Sequence, residues 1–217
     1  MKHVKKLVVF LAFIFFGGIS QSAFSQTLKD VFGNSETPLV YLGIDFSKAR
    51  LLDIGNPDDI KNRLYGSIND LVVDEPKKYT LASAFRRSNM DHDFSAVTKS
   101  NATADAGKII STDQADFSRF KEADIVTIVK NLDLSGKQGI GVLFVMEAMR
   151  KIEKKGDAAI WIVFIDMKSK KLLMTERLTE ETKGGFGFRN FWASTIKELI
   201  DDIDKHKFKE WQSKYGS

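Results

Sequence analysis

The chain has 217 residues, with 33 lysines and arginines against 29 aspartates and glutamates, and no cysteine. Without a thiol it has no disulfide framework, no thiolate nucleophile or metal ligand, and no lipobox cysteine to acylate. Three of the bases, Lys2, Lys5 and Lys6, fall within the first 25 residues, which leaves 30 bases against 29 acids beyond them. That near-neutral balance argues against a nucleic-acid partner and gives no support to an anionic-membrane role.

Lys2, Lys5 and Lys6 run into the unbroken apolar stretch Leu7 to Phe16, and Ala23 and Ser25 bracket Phe24 in a small-x-small arrangement. This pattern predicts a secretory signal peptide over 1–25, cleaved after Ser25, and hence a periplasmic or secreted protein that is not a lipoprotein. Ten apolar residues are too few for a retained anchor, since a membrane-spanning helix needs about 20. A flexible polar lead is expected over 26–37, one domain over 38–207, and a terminal tail over 208–217.

Leu39 to Phe46 reads as a buried strand. Asn56, Pro57 and Asp58 mark a helix start, and Ile60, Leu64, Ile68 and Leu71 give that helix one apolar face. The polar stretch from Asp74 to Thr112 is poorly patterned; it suggests a helix near Tyr79 to Arg86 and weak strand character at Phe94 to Thr98. A short helix is expected over Asp113 to Ala123, with Phe117 and Phe120 inward. The β-branched run Ile125 to Val129 predicts a strand.

Three further strands are predicted over Val142 to Met149, Ala159 to Met167 and Leu172 to Leu178, joined as antiparallel hairpins by short polar turns. Val142, Met146, Met149 and Arg150 also fit helical spacing, but Gly139 and Gly141 ahead of them and a hairpin partner behind favour strand. Trp192, Ile196, Leu199 and Ile203 predict an amphipathic helix from about Asn190 to Lys205. In the tail, Trp211 and Tyr215 either prolong that helix or belong to a frayed turn, and the frayed turn is the expectation. The fold class is therefore α/β: a single, mostly antiparallel sheet of about five or six strands, with a C-terminal meander and helices packed on it.

The series Ile160 to Asp166, Lys168 to Lys170, Leu172 to Leu178, Gly184 to Gly187 and Phe191 to Ile203 resembles the last third of an exported α/β family. That family includes the periplasmic domain of the curli secretion channel, the lipoprotein activators of penicillin-binding proteins and the N-terminal domain of TolB. The resemblance covers about the final 90 residues. Ser169 and Lys170 stand where the family usually carries Thr-Gly, and the lipid-bearing cysteine of the channel and activators is missing. The resemblance implies a helix-covered sheet and contact with another envelope protein, and it carries over no catalytic residue.

Among candidate site residues, Gly184, Gly185, Gly187, Arg189 and Asn190 precede the last helix. Glycines there would let backbone N–H groups approach an anion, with Arg189 as a clamp. The structural alternative is a strand-to-helix turn in which Phe186 and Phe188 plug the core edge and Asn190 caps the helix. Asp91, His92 and Asp93 hold ligand-type groups, but neighbours on an extended chain diverge, so a solvated loop is expected. Glu147 and Asp166 would form a carboxylate pair only if both faced one cleft. Trp161 with Phe164, and Phe144 with Met146, read as core. No HExxH, GxSxG or EF-hand pattern occurs. The expectation is an exported, non-catalytic envelope binding or assembly protein without cofactor or metal, with a small-ligand or anion binder as the alternative and a secreted hydrolase built on His92 as a third reading.

Overall fold

The computed structural model describes residues 27–216, so the expected signal peptide and its cleavage site lie outside the described residues. The chain begins with α1 (Leu28–Gly33), followed by β1 (Leu39–Asp45) and β2 (Arg50–Leu52). Asn56 then caps α2 (Pro57–Asp59), its Oδ1 accepting from the N–H groups of Asp58 and Asp59 at 3.1 and 3.2 Å. A π-helical turn (Ile60–Leu64) carries the same helix into α3 (Tyr65–Asp74). Ile60, Leu64, Ile68 and Leu71 are all buried, as their spacing requires.

Next come α4 (Leu81–Ala84), β3 (Asp91–His92), α5 (Ser95–Ala102), two short 3-10 turns (Ala106–Lys108 and Gln114–Ser118) and α6 (Glu122–Asn131). The meander is β4 (Ile140–Ile152), β5 (Lys155–Asp166) and β6 (Lys171–Glu181). The C-terminal helix runs through α7 (Gly187–Asp202), a π-helical turn (Ile203–Lys207) and α8 (Phe208–Tyr215).

The sheet order is β3-β1-β4-β5-β6, with β2 also paired to β4. The meander is antiparallel, whereas β1 and β2 lie parallel to β4 and β3 lies parallel to β1. Parallel pairing of β1 with β4 is possible because the long helical segment between them provides the crossover that such strands need. Helices cover both faces. On one, α1, α3, α4, α7 and α8 pack over Tyr41, Phe144, Ile162 and Phe164; on the other, α5 and α6 pack over Leu42, Leu143, Val145 and Val163. Val142 to Met149 is strand, and Phe144, Met146 and Phe164 are core.

Four expectations are corrected. Ile125 to Val129 is helical, not a strand: Ile125, Ile128 and Val129 are buried together at i, i+3 and i+4, and Asp124 Oδ2 accepts from Lys121 N at 2.8 Å at the helix start. The helix penalty of β-branched residues, below about 1 kcal/mol each, is smaller than the gain from burying that stripe. Phe94 to Thr98 likewise belongs to a helix, with Ala96 and Val97 buried.

The lead and the tail are both ordered against each other. Phe32 of α1 packs on Phe208, Trp211 and Tyr215, and Gln212 Nε2 donates to Phe32 O at 3.0 Å. Trp211 is buried, so the tail prolongs the helix. The π-helical turn inserts one residue, which explains why the apolar spacing stretches to five between Ile203 and Phe208.

β1 has β3 beside it only at Val40 and Tyr41, so its later peptide groups face helices instead. There Asn69 of α3 receives Ile44 N–H at 2.7 Å and donates to Ile44 O at 3.1 Å. Asn101 of α5 receives Phe46 N–H at 2.6 Å and donates to the same Ile44 O at 3.1 Å. Two buried amides thus stand in for a missing strand. Asn69→Ala and Asn101→Ala should each cost about 2 kcal/mol in urea denaturation, since each orphans a buried N–H. The double variant should cost more than the sum, because only it strips Ile44 O of both donors; simple additivity would contradict the shared-carbonyl arrangement.

Candidate functional site

Glu147 is the extra residue of a bulge between the pairs Met146↔Ile160 and Ala148↔Ala159. It is 0 % exposed. One carboxylate oxygen accepts from Phe120 N at 2.6 Å; the other accepts from Trp161 Nε1 at 3.0 Å and Arg177 Nε at 2.7 Å. Arg177 Nη2 also donates to Phe117 O at 2.6 Å. The carboxylate therefore ties β4, β5 and β6 to the segment after Gln114, each of its oxygens accepting from at least one donor. Asp166 pairs with Ile140 at the opposite end of β4, roughly 20 Å away at about 3.3 Å per residue, so the two acids do not share a cleft. Asp166 Oδ1 accepts from Lys168 N and Ser169 N in the β5–β6 turn.

The loop from Gly184 to Asn190 joins β6 to α7. Gly184, Gly185 and Gly187 have φ of 104°, 129° and 76°. At Gly185 the need for glycine is also steric, because a Cβ would sit 2.5 Å from Asn190 O. The helix begins at Gly187, so Asn190 lies inside its first turn and Phe186 holds the cap position without a side-chain bond. Asn190 Nδ2 donates to Phe186 O, and Arg189 Nε donates to Asn190 Oδ1, both at 3.2 Å. The polar heads of the candidate anion site are thus turned onto their own loop. Phe188 packs at the core edge near Trp192, as expected, but Phe186 is 96 % exposed.

Asp91, His92 and Asp93 do not converge. Asp91 accepts from Asn89, His92 packs beside Phe94, and Asp93 is bound by Lys137 and Ser95, which hold its carboxyl well below the usual range. Among the described residues no group of three or more His, Asp or Glu side chains is placed to hold a metal ion. A cleft of about 340 Å³ lies above the end of β1, lined by Ser47, Lys99, Ser100, Ile128 and Asp133 among others. Beneath it, buried Asp45 accepts from the hydroxyls of Ser47 and Ser100, both at 2.6 Å.

β6 presents the most extensive unpaired backbone among the described residues. It is an eleven-residue strand bordered by β5 on one side and by no strand on the other. On the face toward α7 and α8, Glu176 accepts from Trp211 Nε1 at 2.5 Å and pairs with Lys207 at 3.1 Å. Farther along, Glu180 is half-buried near Asp202 and Glu198. Burial, reinforced by those two carboxylates and only partly opposed by Lys183 and Lys207, pushes its carboxyl up to about 7. Sequence reasoning missed both the edge and this group, because strand order and helix placement are not visible in a one-dimensional pattern.

No protein-family model matches this chain, and no curated protein matches it. Among solved structures, a hypothetical protein from Chlamydia trachomatis is 8% identical, with 81% of this chain and 99% of that one covered and a TM-score of 0.36. A neuraminyllactose-binding hemagglutinin homolog from Helicobacter pylori is also 8% identical, with 82% and 92% covered and a TM-score of 0.31. Similarity at this level assigns neither family nor activity. Among the described residues no helix is long and apolar enough to cross a membrane.

The raised carboxyl of Glu180 sets a sign. Between the ordinary value of 4.5 and about 7 the folded chain holds a proton that the unfolded chain has lost, so this group's stabilising contribution is full below 4.5 and is lost as pH rises to 7. Glu180→Gln should therefore flatten the fall in urea midpoint across that window and raise the midpoint at pH 8. Parallel pH profiles for the two proteins would contradict the assignment.

Proposed function

We propose that this chain is an exported, non-catalytic binding or assembly module of the cell envelope, which takes an extended segment of another envelope protein along the outer edge of β6. The observation that carries the reading is β6 itself, a long strand with a neighbour on one side only. Such an edge offers a row of N–H and C=O groups to an incoming strand, with side-chain contacts supplying selectivity. Glu176, Arg177, Glu180 and Glu181 along it are charges of the kind that discourage indiscriminate edge-to-edge pairing. The signal-like N-terminal pattern and the resemblance of the last 90 residues to exported α/β modules support the compartment and the kind of partner.

The test is photo-crosslinking in intact cells from a benzoylphenylalanine at exposed Thr179. A discrete envelope protein should be captured. Successive residues of a strand point their N–H groups to alternate sides, so of Thr179→Pro and Glu180→Pro only one removes a bond to β5. The variant that keeps its thermal stability should lose the adduct when the photoprobe is moved to exposed Glu181. No adduct, or one indifferent to that proline, would remove β6 as the docking edge.

A further inference from the structure

Ile54, Ile152 and Phe186 are the large apolar residues left exposed among the described residues, at 88 %, 59 % and 96 %. All three stand at one end of the sheet, Ile54 and Phe186 on connections and Ile152 as the last residue of β4. Leu52 of β2 lies beside Arg150 of β4, so the chain leaves the sheet toward Ile54 where β4 reaches Lys151 and Ile152, and Lys151 Nζ lies 3.7 Å from Asp53. Ile152 pairs with Lys155 across the β4–β5 turn. Thr182 N donates to Gly156 O at 2.7 Å, and the Phe191 ring closes on Gly156, so the loop bearing Phe186 rises beside the same turn.

The charges at this end are not balanced in the way the whole chain is. Asp53 and Asp157 are paired with Lys151 and Arg150. Lys154, Lys155, Lys183 and Arg189 make no ion pair among the described residues, against three unpaired acids, Glu153, Glu180 and Glu181, of which half-buried Glu180 has its carboxyl pushed up to about 7. A net charge near zero therefore hides a local basic excess around three apolar tips. Scattered exposed apolar residues are ordinary, but here three gather at one end: Ile54 and Phe186 protrude singly from loops, and Ile152 borders an open cleft of about 980 Å³ beside Lys154 and Lys155. Single protrusions suit a deformable partner, in which apolar side chains sink below the headgroups while flanking lysines and arginines reach phosphate.

We infer that this end of the domain seats on an anionic lipid surface, with Ile54, Ile152 and Phe186 entering the interface and Lys154, Lys155, Lys183 and Arg189 at headgroup level. The inference is independent of strand addition at β6, which it leaves free.

Because the chain contains no cysteine, Glu153→Cys gives a unique attachment point for an environment-sensitive fluorophore, and Lys214→Cys on exposed α8 gives a control. With the full-length chain, vesicles of phosphatidylcholine mixed with phosphatidylglycerol should shift the label at 153 to the blue and leave the label at 214 unchanged. Adding Phe186→Ser should weaken the response about tenfold, the loss expected for withholding one aromatic side chain from the interface. Lys154→Glu with Lys155→Glu should weaken it at least as much. An equal shift on phosphatidylcholine alone, or a response indifferent to Phe186→Ser, as attachment through the N-terminal apolar segment would give, overturns the inference. So does the absence of any shift while a photoprobe at 186 captures a discrete protein in cells.

Discussion

The peptide groups of Ile44 and Phe46 lie where β1 has lost one neighbour, and what satisfies them determines how the rest of the molecule is assembled. A buried backbone N–H or C=O without a partner costs as much as several favourable contacts return. Here the partners are amides from helices on opposite faces of the sheet: Asn69 from α3 and Asn101 from α5, meeting at the carbonyl of Ile44. One strand therefore fixes the height of both helical layers. Gly43, with φ of 94°, lies just before this junction; a Cβ there would fall 2.8 Å from Asn69 Oδ1 and from Phe94.

The same economy explains Glu147. The β1–β2 interruption and the bulge in β4 come at the same level of the sheet, since β1 ends its pairing at Val145 and β2 begins at Ala148. The bulge places a carboxylate in the interior, where three donors from separate segments surround it. Taking one partner from such a cluster is costly, because it leaves charge or donors buried without compensation. Although Glu147 belongs to a residue type that often does chemistry, its neighbours here use it as a fastener.

With the interior held in this way, the features available to partners are peripheral: the unpaired edge of β6 and the loops beyond β2, β4 and β6. They adjoin one another, since β6 ends at Glu181 beside Asp157 and its chain continues through Gly184 to Phe186. A partner strand on the edge and a lipid surface at the end would occupy different sides of the domain, so an assembly role and a membrane-facing orientation are physically compatible.

Several elements were legible from residue order alone, because their physical causes are local. The Asn56–Pro57 cap, the Ile60-Leu64-Ile68-Leu71 stripe, the three meander strands with their polar turns and the Trp192-to-Ile203 stripe each show a pattern within a few residues. Residue order also established the α/β class and the lack of any thiol chemistry. Ile125 to Val129 is helical against its β-branching, because that weak local preference is outweighed by a helical burial stripe that becomes visible only once Leu42 and Val163 are known to lie beneath it. Tertiary structure alone decided that Phe32 meets Trp211 and Tyr215, that Glu147 is enclosed, and that Ile54, Ile152 and Phe186 share one end. Each of these depends on contacts between segments far apart in the chain, and no window of neighbouring residues contains that information.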